Sequence, residues 1–269
     1  FRRVVRRAWP FFSYNITQVG YSKIAIVFFG LVALPEKVGW FAAAFAISDV
    51  IPQWSYASCG ALLPLWTRLF ESNRIDELVE LRQKVLDLII FLAVPLGVAL
   101  AIFAPEICHI LGSRFANSVV VLRIVAYRSL LAVLDGFLGH GFLIAINKIK
   151  ERQVAQAWSA VLLGVLTLSF GYVWGPVGVA VALLISDSTL IYQYLRIASR
   201  SDLKVECPAF LSSVAAGLGM ALVTIKLSSV LNVATLVAVA LITYSVLLIA
   251  LTPQRLVGAG RTLRESFSG

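Results

Sequence analysis

The chain is a series of apolar runs, each about twenty residues long, separated by short polar gaps. Runs of that length cross the hydrocarbon core of a bilayer as single helices. Eight are present: residues 11–33, 39–66, 86–104, 117–146, 154–174, 176–195, 208–226 and 229–251. Leu34, Pro35 and Gly39 predict a turn after the first run, and Gly175-Pro176 divides the fifth run from the sixth. Between the second and third runs, Ser72–Val85 has helical periodicity. Ile75, Leu78, Val79 and Val85 form an apolar stripe, Glu80 and Lys84 make an i,i+4 pair, and Asn73 suits the N-cap. This link is expected to be an amphipathic helix lying on the membrane surface or against the helix ends. Pro105–Phe115 is too short to span, and predicts a rim helix that Pro105 starts and Gly112 ends.

The polar gaps carry an asymmetric charge. Of 23 Lys and Arg residues, 17 fall at the ends or in alternate gaps on one side, including Arg68, Arg74, Arg82, Lys84, Lys148 and Arg152. The opposite side holds only Lys37, Arg114 and Lys226. Basic residues collect in cytoplasmic loops, so both ends of the chain are expected in the cytoplasm. A net charge of +9 therefore reports membrane orientation and not nucleic-acid binding. Trp9, Trp40, Trp66, Trp158 and Trp174 lie near span ends, where amphipathic rings favour the interface, and Trp54 is assigned to packing.

Composition agrees with this reading. The chain is 59% hydrophobic and 14% charged, whereas a soluble domain is about one quarter charged. The fold class is all-α polytopic membrane protein, with about eight transmembrane helices. Cys59, Cys108 and Cys207 are widely separated and have no metal or redox spacing. No cofactor or metal is implied. Nucleophile-elbow, phosphate-loop and zinc-protease motifs are absent, and the loops are short, so a transporter is favoured over an enzyme. The sequence begins at Phe1 and its single methionine is Met220, which suits a fragment of a longer protein.

The ionisable residues inside the runs are the candidates for chemistry. Charges at membrane depth are costly and mark substrate or ion pathways, or pair with one another. Lys23, Asp49, Asp135 and Asp187 fall near mid-span, and Arg123 and Arg128 lie in the outer half of the fourth run. Arg128 and Asp135 are seven apart and share a helix face, as do Asn15 and Gln18, with Lys23 flanking them. Asp49, Pro52 and Gln53 are neighbours in the second run. Two arrangements are open. Lys23 could pair with Asp49 and Arg128 with Asp135 as struts, or all could line a solvated cavity. Arg123 has no acidic mate, which favours a cationic cavity. Glycines 136, 139 and 141 permit close helix contact or a bend more readily than a ligand loop.

Several ordered segments resemble a known family. They are Gly60-Ala-Leu-Leu-Pro64-Leu-Trp-Thr-Arg68, Leu92-Ala-Val-Pro95-Leu-Gly97, Ala104-Pro105-Glu-Ile, Leu111-Gly112-Ser-Arg-Phe115, and Gly175-Pro176-Val-Gly178-Val-Ala-Val-Ala182. Together they resemble the oligosaccharide flippases of bacterial polysaccharide assembly, in the multidrug/oligosaccharidyl-lipid/polysaccharide exporter superfamily. The resemblance implies a second six-helix lobe over residues 1–200 and two additional helices with a short cytoplasmic tail over 201–269. It implies alternating-access export of polyprenyl-pyrophosphate-linked oligosaccharide across the bacterial inner membrane. Partners would be the lipid-linked oligosaccharide, the bilayer, a missing N-terminal lobe of the same protein, and glycosyltransferase or polymerase machinery. Lys23, Arg123 and Arg128 would hold pyrophosphate or acidic sugars. Asp49, Asp135, Asn15 and Gln18 would contact hydroxyls or balance charge. A lipid II flippase or cation-coupled drug exporter is the alternative, with a membrane-embedded polymerase or acyltransferase behind them.

Overall fold

The computed structural model describes residues 20–21, 23–200, 208–227 and 233–251. Asn15, Gln18, the four N-terminal arginines and Cys207 lie outside the described residues. Every described element is helical. α1 (Lys23–Val32) is followed by α2 (Pro35–Ser48) and α3 (Val50–Glu71), then α4 (Ile75–Ile102) and the rim helix α5 (Ala104–Leu111). A 3₁₀ turn (Ser113–Ser118) leads into α6 (Val119–Asp135), a π-helical stretch (Gly136–Phe142) and α7 (Leu143–Ala145). α8 (Ile149–Ser199), α9 (Pro208–Leu227) and α10 (Val233–Leu251) complete the chain.

These elements group into eight helical segments among the described residues, because several are parts of one longer helix. α2 and α3 form one bent helix broken at Asp49. Pro52 has no N–H to offer the Ser48 carbonyl, so the helical ladder is interrupted there. α6, the π stretch and α7 are likewise one span. α8 is two spans. Gly175 has φ +61° and ψ −139°, outside the helical region, and the chain reverses there. Ser186 Oγ donates to the Ser159 carbonyl at 2.8 Å. In a straight helix those residues would be about 40 Å apart, so the arms 149–174 and 176–199 are antiparallel neighbours.

Three expectations need correction. Pro35 to Gly39 is not a turn: Pro35 is in the first turn of α2, where a missing N–H costs nothing, and the connection is shorter. The amphipathic link is not a separate surface helix: Ile75 to Ile102 is continuous, so the stripe feeds directly into the third span. Asn73 is not its cap. It adopts φ +55°, and Asn73 and Arg74 N–H groups return to Phe70 and Leu69 to close α3. Asn tolerates this left-handed conformation better than most residues. The Glu80–Lys84 pair is present at 2.6 Å, and Gly112 ends α5 with φ +110°. Trp66 also departs from expectation, for it is buried edge-on against Phe137, 5.8 Å between centroids, whereas Trp158 and Trp174 are exposed. Gly141 explains this: a methyl group there would lie 2.3 Å from the Trp66 ring.

The last two helices dock through a proline. Pro95 in α4 leaves the Phe91 carbonyl without its i+4 donor. Tyr244 of α10 supplies one, donating its hydroxyl to that oxygen at 3.0 Å. On α9, Gly217 sits so close to α4 that a methyl group would come within 2.8 Å of Val94. Tyr244→Phe is therefore expected to destabilise the protein by about 1 kcal/mol, the scale of one such bond. In a Pro95→Ala background the carbonyl regains a backbone donor, and the same substitution should cost less. Unfolding titrations in detergent of the four proteins of this cycle measure the difference; equal costs in both backgrounds would refute the account.

Candidate functional site

The candidate site is built where the broken helices meet. α1 brings Lys23, with Tyr21 just before it. The α2–α3 break brings Asp49, and the following turns bring Gln53 and Tyr56, at i+4 and i+7 on the same face. α6 contributes Arg128 and Asp135, the π stretch His140, and the second arm of α8 Asp187. They line a cavity of about 360 Å³ that opens to the surface beside the exposed Lys23 and Gln53. Ligand cavities begin at about this size.

Two buried polar clusters divide the wall. In the first, Arg128 Nε donates to Asp187 Oδ2 at 2.7 Å, and Arg128 Nη1 lies 3.6 Å from Asp49 Oδ1. The guanidinium carbon stands 4.8 Å from the centre of the Phe45 ring. Tyr21 donates its hydroxyl to Asp187 and lies 3.1 Å from Ser186 Oγ. α2, α6 and α8, with the residue leading into α1, are thereby joined at one guanidinium.

In the second cluster, Tyr56 donates to Asp135 Oδ2 at 2.9 Å and faces the His140 ring at a centroid distance of 4.7 Å. Arg152 Nη2 is 3.5 Å from His140 Nδ1, and the Arg152 guanidinium carbon is 5.9 Å from the Tyr194 ring centre. Gly139 lets this group close up: a methyl there would lie 2.8 Å from Tyr194, 2.9 Å from Asp135 and 3.0 Å from Arg152. Arg128 and Asp135, two turns apart on α6, set the spacing of the clusters at about 10.5 Å.

Of the residues chosen from sequence, the structure brings Lys23, Asp49, Arg128 and Asp135 together. The pairing differs from the strut expectation. Arg128 bonds Asp187 and approaches Asp49 instead of Asp135, and Lys23 makes no ion pair among the described residues. Arg123 is not part of the cavity; it is exposed on another face of α6, 500° of helical rotation before Arg128, or about 140° around the axis. The lining also corrects the expected cationic character. Lys23 and Arg128 face three carboxyl groups, Asp49, Asp135 and Asp187, so this chain's share of the wall is not positive.

Sequence reasoning passed over Tyr21, Tyr56 and Arg152, and it noted His140 and Asp187 as ionisable groups within apolar runs without giving either a binding role. Tyr56 was findable, because it continues the Asp49–Gln53 stripe. Arg152 and Arg82 were counted as loop charges, yet both are buried. Arg82 stands 4.9 Å from the Phe142 ring centre, and its signal was its place between Leu78 and Leu86 on the apolar face of α4.

No protein-family model matches the chain, and no curated protein matches it by sequence. Among solved structures, the lipid II flippase MurJ in an inward closed conformation superposes with a TM-score of 0.77 at 15% identity, over 94% of this chain and 55% of that one. The chain shares the all-α fold of the matched part of that structure. At that identity the likeness concerns fold and not substrate, and the chain spans about half the length of the matched protein.

The first cluster generates a stability prediction. Removing one partner of a buried pair leaves an uncompensated charge, at a cost of about 3–5 kcal/mol. Asp187→Ala is expected to destabilise by that amount. Asp187→Leu combined with Arg128→Met, which removes both charges, should recover most of it. Thermal unfolding of the purified variants decides, and additive losses would show that the pair is not coupled.

Proposed function

We propose that this chain is one lobe of a membrane flippase that moves a polyprenyl-pyrophosphate-linked saccharide outward by alternating access. The observation that carries the reading is the cavity lined by Lys23, Asp49, Gln53, Asp135 and the Arg128–Asp187 pair, within a flippase-like fold. Charges at membrane depth are costly and commonly mark substrate paths, and a purely structural bundle leaves the cavity they line unexplained. Residues 1–200 form the six-helix lobe and 201–269 the additional pair, both ends lying on the cytoplasmic side of a bacterial inner membrane. The remaining half of the cavity belongs to a partner lobe of the same protein.

Lys23, exposed at the mouth and without an ion pair among the described residues, is the group available for the substrate's pyrophosphate. Asp49, Gln53 and Asp135 are suited to sugar hydroxyls, and Asn15 and Gln18 join them by sequence position alone. Arg128 acts mainly by holding the wall. An oligosaccharide precursor for surface polysaccharide is the substrate favoured by sequence resemblance. The fold likeness to a lipid II flippase supports lipid II as the second reading.

Losing one charged hydrogen bond to substrate costs about 1.5–3 kcal/mol, roughly a 10- to 100-fold effect. In the full-length protein, Lys23→Ala and Asp135→Ala are expected to lower outward movement of lipid-linked saccharide by this factor at unchanged membrane levels. Arg123→Ala, outside the cavity, should leave it nearly intact. Assays with lipid II and with a lipid-linked polysaccharide repeat unit separate the two substrates. Full movement of both in the Lys23→Ala and Asp135→Ala proteins would end the reading.

A further inference from the structure

The Gly136–Phe142 stretch is the one described segment wound as a π-helix. π turns are rare inside α-helices, and they occur where a helix kinks or carries function. Here the turn lies between two parts of the same span that are held by different neighbours. On the outer side, α6 is fastened through Arg128 to Asp187 and approaches Asp49. On the cytoplasmic side, Phe142 lies beneath Arg82 of α4, and Gly141 is covered by Trp66 of α3. Between them the three glycines present bare backbone to Ser55 and Tyr56, to Tyr194 and Arg152, and to Trp66.

The facing helix is interrupted as well. The α2–α3 break at Asp49 comes one and a half turns before Ser55, whose Oγ donates to the Val133 carbonyl at 3.0 Å, just ahead of the π turn. Two adjacent helices thus lose regular α geometry on the same wall of the cavity, one at a proline and one at a glycine-rich π turn. Asp49 lies at the first interruption, and Asp135 and His140 lie at the second.

We infer that the Gly136–Phe142 π turn, together with the Asp49 break, is a hinge about which the cytoplasmic end of α6 swings against its Arg128-anchored outer half. A π turn contains one residue more than the α-helix would need. Tightening it to α geometry with every residue retained rotates the helix beyond it by about 100° and lengthens the span by about 1.5 Å, which swings His140 relative to Asp135. Hinges need only a few residues that absorb such a change, and the glycines here do so without a side chain to clash. The swing opens and closes the cavity toward the cytoplasm. This inference rests on the transport reading for its purpose, but its test needs no substrate.

The experiment uses the full-length protein in lipid nanodiscs, spin-labelled at exposed Asn117 and Lys150, which flank the span. A hinge gives two distance populations between the labels. Deleting Leu138 removes the extra residue and is expected to leave one population. Gly139→Ala, which places a methyl group among Tyr194, Asp135 and Arg152, should shift the ratio of the two. A single narrow population in the unsubstituted protein overturns the hinge, and this result stands even if the deletion variant does not fold. Two unchanged populations in a folded deletion variant overturn it equally. Two populations together with absent saccharide movement would sink the transport reading and leave the hinge standing.

Discussion

The buried guanidinium of Arg128 is the constraint on which the lobe depends. An arginine at membrane depth is tolerable only if its charge is met inside the protein, and the fold meets it with a carboxylate 59 residues further along the chain. Asp187 reaches it because the Gly175 reversal returns the second arm of α8 alongside the first, where Ser186 is also fastened to Ser159. Asp49 approaches it because Pro52 breaks the α2–α3 helix at that level. Tyr21 then ties the start of α1 to the same acid. A proline, a glycine and an aspartate that look unrelated in sequence are thus parts of one charge arrangement.

That arrangement changes what the cavity offers. With Arg128 occupied by its own acids, the wall presents carboxyl, amide and aromatic groups, and Lys23 is its exposed cation. Groups of this kind suit hydroxyls better than a bare anion. Lys23 is the group of this lining that suits an anion, because Arg128 is already engaged.

Much of the fold was legible because the membrane leaves few options. Length and apolarity mark the spans, Gly175-Pro176 marks the hairpin, and Pro105 with Gly112 marks the rim helix. What failed were inferences from neighbours in sequence. Asn73 looked like a cap, but its tolerance of left-handed backbone placed it at the end of the preceding helix. The site was half legible. Lys23, Asp49, Arg128 and Asp135 stood out as charges in apolar runs, whereas Arg128's partner lies 59 residues away, which no local spacing reveals. Arg82 and Arg152 were hidden by the opposite error: a charge beside a loop looks solvated until its helix face is taken into account.

The α8 reversal also bears on how the protein enters its membrane. A turn of one glycine leaves no loop on which the second arm could wait outside while the first arm crosses. The two arms are therefore tied together as a single hairpin, with Ser186 fastened to Ser159. That hairpin carries Asp187 on its second arm, so the acid is made 59 residues after the base it pairs with.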